Sequence, residues 1–212
     1  MAIKKKILLC QRGRYFKKDK TYSYFKEILN DYVVDNYEDV EIFNNRDFFE
    51  YDTTIFFTQF GEFTEEQEKN LLDFISSGKG FVGLHGASAS FKEHPTYYEM
   101  IGGRFIGHKK KCNIDIKILD KDHPITNNLN NFTFYDEPYR HDFSMKGDMN
   151  VLAEAYYHDE EDPGPEPIIW VKTYGKGRVA FCALGHQAKS LKNEIFYTII
   201  QNSVKWVIEG QK

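Results

Sequence analysis

Apolar runs and segments of helical periodicity alternate through the first part of the chain. Phe25, Ile28 and Leu29 begin an apolar face at helical spacing that continues through Tyr32 and Val33. Short β-branched and aromatic runs predict strands at residues 3–10, 40–43, 53–58 and 81–84. The run 53–58 has no polar alternation, which is typical of a strand covered on both faces. This order of elements predicts an α/β layered domain with a largely parallel sheet.

The clearest helix start is the segment TEEQ that begins at Thr64. A threonine followed three residues later by Gln67 forms a capping box, in which each side chain satisfies the backbone amide of the other residue. The apolar face continues to Ile75, and Gly78 is placed to end the helix with a positive φ.

The second half of the chain is richer in strands. Ile114, Ile116 and Ile118 alternate with polar residues and lie on one side of a predicted strand at 112–119. Further strands are predicted at 151–157, 168–174 and 178–183, with a hairpin turn in TYGKGRV and a closing amphipathic helix over 195–208. Antiparallel strands are therefore expected beside the parallel sheet.

Composition and charge narrow the classes of function. With 212 residues, 41% of them hydrophobic, we expect one core and a single domain over 1–212. The net charge of −4 argues against nucleic acid or a membrane surface as a partner. No apolar run has the length of a signal peptide core or a membrane span, and three scattered cysteines favour a reducing compartment. A cytoplasmic location is expected, and the aromatic content of 16% leaves a homodimer open.

Two glycine-rich strings resemble nucleotide-binding loops only superficially. The sequence GKG occurs at Gly78 and again at Gly175, but neither copy has the spacing of a phosphate-binding loop or a dinucleotide fingerprint. Turns between elements explain both strings, so neither NAD nor ATP is expected as a cofactor.

Two histidines follow predicted buried strands. His85 lies between Gly83 and Gly86 in a turn of the kind that presents a nucleophile in hydrolases, and His186 follows the last long strand. Because ligands of open α/β sheets bind beyond the carboxyl ends of the strands, we expect both imidazoles at one site. The turn that follows MIGGRF could bring His108 to the same edge. The simpler interpretation of His85, as a structural histidine that caps the next segment, stays open.

The segment FYDEPYRHDF supplies polar groups among aromatic residues. Asp136 and Glu137 are costly to bury unless they meet a cation, a donor or a metal, and Tyr139 and Arg140 follow them in the same segment. Histidines with a carboxylate are a ligand set for a divalent metal such as zinc, and they are equally suited to direct general acid and base catalysis. His94, His123 and His158 are interpreted as turn or surface residues, and the lack of a cysteine at the His85 turn argues against a cysteine hydrolase.

Six motifs together resemble one known family. In chain order they are GKGFVGLHGAS, MIGGRFIGH, DKDHPIT, FYDEPY, GKGRVAFCALGH and VKWVIEG, and they span residues 78–210. Their order and content resemble the ThuA-like (trehalose utilisation) family. The resemblance implies a flavodoxin-like, class I glutamine amidotransferase-like three-layer sandwich, with a mostly parallel sheet and added antiparallel strands. The segment CQRGRYFKKDKTY near the N-terminus gives no family histidine.

The resemblance also implies a field of activity. His85 would occupy the position of the amidotransferase cysteine, but His186 is followed by Gln187 and Ala188 rather than by Pro-Glu, so glutamine-dependent ammonia transfer is not expected. A sugar or 3-keto-glycoside is the implied ligand, handled by a hydrolase, lyase or isomerase. The assigned roles are catalysis for His85, His186 and Glu137, substrate binding for Tyr139, Arg140, Asp136 and Gly86, and metal binding for His85, His108 and His186. The alternative is a non-catalytic sugar-binding or regulatory domain that retains the pocket.

Overall fold

A computed structural model describes residues 4–13, 18–59, 61–158 and 164–210. Several sequence predictions fall partly outside these ranges. Residue 3 of the first predicted strand, residues 14–17 of the loop 11–21 and residues 160–163 of the proline-rich acidic stretch belong to the part that is not described.

The described residues form eleven strands and four α-helices. The strands are β1 (Lys6–Arg12), β2 (Val33–Tyr37), β3 (Thr53–Thr58), β4 (Gly80–Leu84), β5 (Arg104–His108), β6 (Cys112–Ile118), β7 (Phe132–Asp136), β8 (Tyr139–Asp142), β9 (Asn150–Tyr157), β10 (Glu166–Tyr174) and β11 (Gly177–Cys182). The helices are α1 (Lys18–Ile28), α2 (Glu65–Ser76), α3 (Pro95–Ile101) and α4 (Glu194–Glu209). None of the helices in the described ranges is long and apolar enough to cross a membrane.

Nine strands form one mixed sheet in the order β2-β1-β3-β4-β11-β10-β9-β6-β7. The five strands from β2 to β11 are parallel, and the four from β10 to β7 are joined by antiparallel pairing. β5 and β8 form a separate two-stranded antiparallel sheet. The prediction of an α/β fold with parallel strands and added antiparallel strands in the second half is confirmed.

Helices cover both faces of the sheet, which makes three layers. A Cβ on Gly80 of β4 would lie 2.7 Å from Val207 of α4, whereas the ring of Phe81 packs against Tyr97 of α3. Because successive residues of a strand point to opposite faces, α4 and α3 lie on opposite sides of β4. The fully buried Phe56 and Phe181 belong to the core between these layers.

Two sequence predictions in the first half were wrong in detail. The helix that was expected to reach Val33 ends at Ile28, because Val33 and Val34 pair with β1 as the start of β2. Residues 40–43, predicted as a strand, run into a 3₁₀ turn at Glu41–Asn44. A 3₁₀ turn places residues i and i+3 on one face, so Val40 and Phe43 are both buried without forming a strand.

The capping box at the start of α2 is present as predicted. The backbone N–H of Gln67 donates to Thr64 Oγ1 over 3.2 Å, the backbone N–H of Thr64 donates to Gln67 Oε1 over 2.8 Å, and Gly78 has a φ of +117° after the helix. We expect Thr64→Ala to lower the free energy of unfolding by about 1 kcal/mol, because an amide of the first turn loses its acceptor. Urea denaturation would measure this loss. Thr64→Ser, which keeps the hydroxyl, is the control, and equal destabilisation by both changes would contradict the assignment.

Candidate active site

The site lies where two neighbouring parallel strands end. Leu84 at the end of β4 pairs with Cys182 at the end of β11, so the residues that follow both strands emerge at the same edge of the sheet. His85 directly follows β4 and opens a 3₁₀ turn, His85–Ala89. His186 lies shortly after the end of β11. The two imidazole rings have their centroids 5.3 Å apart. The structure therefore brings together the two histidines that sequence reasoning assigned to one site.

His85 is fully buried and held in an uncommon backbone conformation. Its φ is +44°, in the left-handed region that costs a residue with a Cβ free energy. Its Nδ1 lies 2.8 Å from the carbonyl oxygen of Ala183. Since a carbonyl only accepts, Nδ1 carries the proton, and the lone pair of the neutral ring is at Nε2. Nε2 has no hydrogen-bond partner among the described residues, and Glu137 Oε2 lies 3.6 Å away.

Glu137 brings a carboxylate to both histidines. Its Oε2 is 2.8 Å from Nδ1 of His186, 3.6 Å from Nε2 of His85 and 4.0 Å from Nε2 of His108. Burial alone would raise the pKa of Glu137, but the neighbouring histidines more than offset it and hold that pKa below its ordinary value. Glu137 is therefore an ionised carboxylate at neutral pH.

His186 is a neutral imidazole at neutral pH. Burial lowers its pKa, and the attraction to Glu137 offsets this effect only in part, while His85 and Lys111 add to the lowering. A neutral ring can act as a metal ligand or as a base, whereas a protonated one can do neither.

The carboxylate of Asp136 accepts hydrogen bonds from backbone amides next to the site. Its Oδ2 accepts the backbone N–H of Gly185 over 2.7 Å, and its Oδ1 accepts the backbone N–H of Glu137 over 2.9 Å. The backbone N–H of His186 lies 3.3 Å from both oxygens. The carboxylate predicted to bind substrate is thus engaged by the turn that carries His186.

Gly86 also serves packing. A Cβ at this position would lie 2.5 Å from the carbonyl oxygen of Thr58 and 2.5 Å from Cγ of Gln59. The glycine that sequence reasoning assigned to substrate binding therefore lets the His85 turn approach the end of β3.

Tyr139 and Arg140 lie in β8, which forms one wall of the site. The ring of Tyr139 packs on His85 with centroids 3.9 Å apart, and burial raises the pKa of its hydroxyl. The guanidinium carbon of Arg140 lies 4.0 Å from the centre of the Tyr157 ring. Arg140 lines a cavity of about 330 Å³ whose other lining residues are Lys109, Lys110, Lys111, Cys112, Pro138, Tyr157 and His158. Pro138 directly follows Glu137 in the chain, but His85, Glu137 and His186 do not line this cavity.

Three side chains have the geometry to hold a metal ion. His85, Glu137 and His186 each offer one ligand atom, and these atoms all lie within 4.8 Å of one another. His108, predicted as the third ligand, lies outside this group with its side chain 43% exposed. Glu137 directly follows β7, which ends at Asp136, and supplies the third atom of this group.

Sequence reasoning missed two residues next to the site, Ser88 and Glu166. Both contact the buried His141, which the sequence showed only as one more polar group in FYDEPYRHDF. Ser88 follows His85 by three residues in the same turn, and that spacing is the one sequence signal that could have identified it.

The arrangement can bind a cation or move a proton. It combines an ionised carboxylate, a neutral imidazole and a second imidazole, that of His85, whose buried Nε2 makes no hydrogen bond within the part of the chain that the structure describes. Fold and site together define a three-layer α/β protein with a mixed sheet and a histidine and carboxylate cluster at the carboxyl ends of its parallel strands.

The chain belongs to the ThuA family, described as trehalose utilisation, whose model matches residues 6–207. No curated protein is similar enough in sequence to count as a match.

Several solved structures share this fold. A ThuA-like protein from Bacteroides uniformis ATCC 8492 is 20% identical, with a TM-score of 0.83 over 98% of this chain and 93% of its own. A ThuA-like protein from Parabacteroides merdae ATCC 43184 is 19% identical, with a TM-score of 0.83 over 99% of this chain and 91% of its own. A cytoplasmic protein from Salmonella typhimurium LT2 is 13% identical, with a TM-score of 0.63 over 95% of this chain and 99% of its own.

Acidification is expected to destabilise the protein below about pH 6.5. Burial lowers the pKa of His141 and of His186, so the unfolded state takes up protons before the folded state does. Stability is therefore lost as the pH falls from the ordinary histidine pKa of about 6.5 toward the lowered folded values. Thermal melts between pH 7.5 and 5.5 at constant ionic strength would show a falling Tm. His141→Gln should make this slope shallower, whereas His158→Ala, which changes an exposed histidine, should not.

Proposed function

We propose that this protein is an enzyme of carbohydrate metabolism that acts on a sugar or a 3-keto-glycoside with the help of a divalent metal such as zinc. The reaction class is hydrolysis, elimination or isomerisation. The observation that carries the proposal is the convergence of His85, Glu137 and His186 at the carboxyl edge of the sheet. Family membership supports the sugar as the ligand.

The donor set suits zinc. Two imidazole nitrogens and one carboxylate oxygen are a catalytic zinc set, with ligands about 2.0–2.2 Å from the metal and a fourth position for water or substrate. Glu137 Oε2 lies 2.8 Å from His186 Nδ1 and 3.6 Å from His85 Nε2, so the three side chains would be able to hold one ion together. The hydrogen bond from Nδ1 of His85 to the backbone carbonyl of Ala183 is also the kind that orients the ring of a metal-binding histidine.

The residues around the cluster have separate tasks in this proposal. When bound, the metal supplies Lewis acidity toward a carbonyl or hydroxyl oxygen of the substrate. His85, Glu137 and His186 would hold that metal, and in catalysis without a metal Glu137 and His186, whose Oε2 and Nδ1 lie 2.8 Å apart, would instead hold or move a proton at the substrate oxygen. Tyr139 covers the ring of His85, and Arg140 hydrogen-bonds sugar hydroxyls at the entrance to the neighbouring cavity. The pair Glu137–His186 would serve equally in acid and base catalysis without a metal.

Isothermal titration with Zn²⁺ tests the metal site. The wild-type protein is expected to bind one equivalent, and His85→Ala and His186→Ala are each expected to lose at least about tenfold in affinity, because even outer-shell changes cost that much. His158→Ala, an exposed histidine next to the same cavity, is the control and should bind like the wild type. Equal binding by all four proteins would contradict the site.

Turnover separates the enzyme from the alternative of a sugar-binding or regulatory domain. Purified protein would be incubated with trehalose and with 3-keto-trehalose, with and without Zn²⁺, and the products followed by chromatography. Product formation that is lost in His186→Ala supports the enzyme. Binding of the same sugars without conversion would favour the non-catalytic domain.

The cellular location and the oligomeric state of the protein are also proposed. We place it in the cytoplasm, where its three cysteines, which form no disulfide, would stay reduced, and one structural neighbour is described as a cytoplasmic protein. A homodimer is compatible with exposed side chains such as Ile106 and Tyr135, and light scattering of the purified protein would measure its mass in solution.

A further inference from the structure

A second polar cluster lies directly behind His85. The side chain of His141 in β8 is fully buried, its Nε2 lies 3.0 Å from Oγ of Ser88, and its Nδ1 lies 3.2 Å from Oε1 of Glu166. The backbone N–H of His141 donates to that same carboxylate oxygen over 2.8 Å. The rings of Trp170 and Phe143 pack around the imidazole and separate it from solvent.

The cluster ends on the backbone of His85. Ser88 Oγ donates to the carbonyl oxygen of His85 over 3.1 Å, within the turn that both residues share. Glu166, His141, Ser88 and His85 are therefore linked in one chain of hydrogen bonds. This chain connects β10, β8 and the turn after β4, which are distant in sequence.

We propose that Ser88, His141 and Glu166 are positioning residues that hold the left-handed backbone of His85 and thereby aim its Nε2 at the ligand position. This inference rests on the proposed role of His85 as a ligand or acid–base group.

The backbone of His85 supplies the physical reason. A positive φ in a residue with a Cβ costs of order 1–3 kcal/mol and persists only where the surroundings impose it. Nδ1 of His85 is fixed on Ala183, and the carbonyl of His85 is fixed by Ser88. Without the second restraint the turn can relax toward a negative φ, and the ring then moves away from Glu137.

The ring of His141 keeps the Ser88 hydroxyl in place. Glu166 as a carboxylate only accepts, so it holds the proton of the neutral ring at Nδ1 and leaves Nε2 as an acceptor. The single hydroxyl proton of Ser88 then has two acceptors, Nε2 of His141 at 3.0 Å and the carbonyl oxygen of His85 at 3.1 Å, and is shared between them in a bifurcated hydrogen bond. His141 is thus coupled to the backbone of His85 through a single hydroxyl.

The same distances resemble those of a serine hydrolase triad, in which a nucleophile meets a base held by a third group. The burial of Ser88 distinguishes a role in positioning from a role as a nucleophile. Ser88 has no exposed surface, and its hydroxyl is bonded to the turn from which it comes, so a substrate carbonyl cannot approach it. A role in positioning is consistent with this burial, and a nucleophile is not.

Ser88→Ala tests the proposal, with Ser90→Ala as a matched control. Ser90 is equally buried and ends the same turn, but its hydroxyl contacts Gly86 O over 2.9 Å and Thr58 Oγ1 over 3.0 Å instead of His85. We expect Ser88→Ala to lower Zn²⁺ affinity by about 10–100-fold, as removal of outer-shell support does, and Ser90→Ala to change it much less. Glu166→Gln is a second variant and should also weaken binding, because it frees the tautomer of His141.

Imidazole ¹⁵N spectra of the metal-free proteins provide a readout that is independent of zinc. In the wild type His85 should show a single Nδ1–H tautomer, and Ser88→Ala should broaden or shift its signals, whereas Ser90→Ala should not. If the wild type binds no zinc, the metal proposal fails, and these spectra still decide the positioning role.

Three results would overturn the proposal. One is an unchanged His85 spectrum in a folded Ser88→Ala protein. Another is an equal change in Ser90→Ala, which would assign the effect to general loosening of the turn. The third is covalent labelling of Ser88 in the wild type by a fluorophosphonate, which would make Ser88 a nucleophile.

Discussion

Glu137→Gln is expected to lower Zn²⁺ affinity by at least about 100-fold and to abolish turnover, with little change in fold. The substitution keeps the shape of the side chain but removes the charge that lies 2.8 Å from His186 and 3.6 Å from His85. A neutral amide is a much poorer ligand for a divalent ion, and loss of a ligand should exceed the 10–100-fold cost of losing an outer-shell partner.

The pKa of His186 gives this prediction a second readout. The charge of Glu137 raises that pKa and so offsets part of the lowering by burial. Its removal should lower the pKa of His186 further, and an NMR titration of the metal-free protein would measure the change. Glu154→Gln, a carboxylate of β9 outside the cluster, is the control and should leave both zinc binding and this pKa unchanged. A rise in the pKa of His186 in Glu137→Gln would contradict the electrostatics of the site.

Gly86→Ala is expected to lower Tm by roughly 3–10 °C and to weaken zinc binding at the same time. The added Cβ would lie 2.5 Å from the carbonyl oxygen of Thr58, a backbone atom that cannot rotate away. Overpacking of this kind costs typically 1–3 kcal/mol, and each kcal/mol lowers Tm by about 2–4 °C in a chain of this size. Because Gly86 directly follows His85, the turn that shifts is the turn that carries the candidate ligand.

Gly107→Ala is the matched control for this prediction. A Cβ at Gly107 of β5 meets nothing within 4 Å, so we expect a change in stability within about 0.5 kcal/mol and unchanged zinc affinity. Differential scanning calorimetry and zinc titration of the two variants would measure both effects. Equal behaviour of the two glycine variants would show that the approach of the His85 turn to β3 is not required.

Local patterns predicted much of the fold. The capping box at Thr64, the hairpin between β10 and β11 and the alternating isoleucines of β6 all appear in the structure. Each of these features depends on residues a few positions apart, so the sequence contains the whole cause. The two errors, at Val33 and at residues 40–43, concern apolar positions whose spacing suits more than one element. Pairing with β1 and burial against the core selected between those elements.

The sequence by itself determined that polar residues follow buried parallel strands at His85 and His186, because a strand that ends in a glycine-flanked turn must expose its next residue at the sheet edge. Only the tertiary structure decided which groups meet there. Glu137 reaches the histidines and His108 does not, Asp136 turns to backbone amides, and His141 joins Ser88 to Glu166. These contacts join residues up to 53 positions apart, and their geometry depends on strand order and on the packing of β8 against the His85 turn. No local pattern of residues encodes that packing.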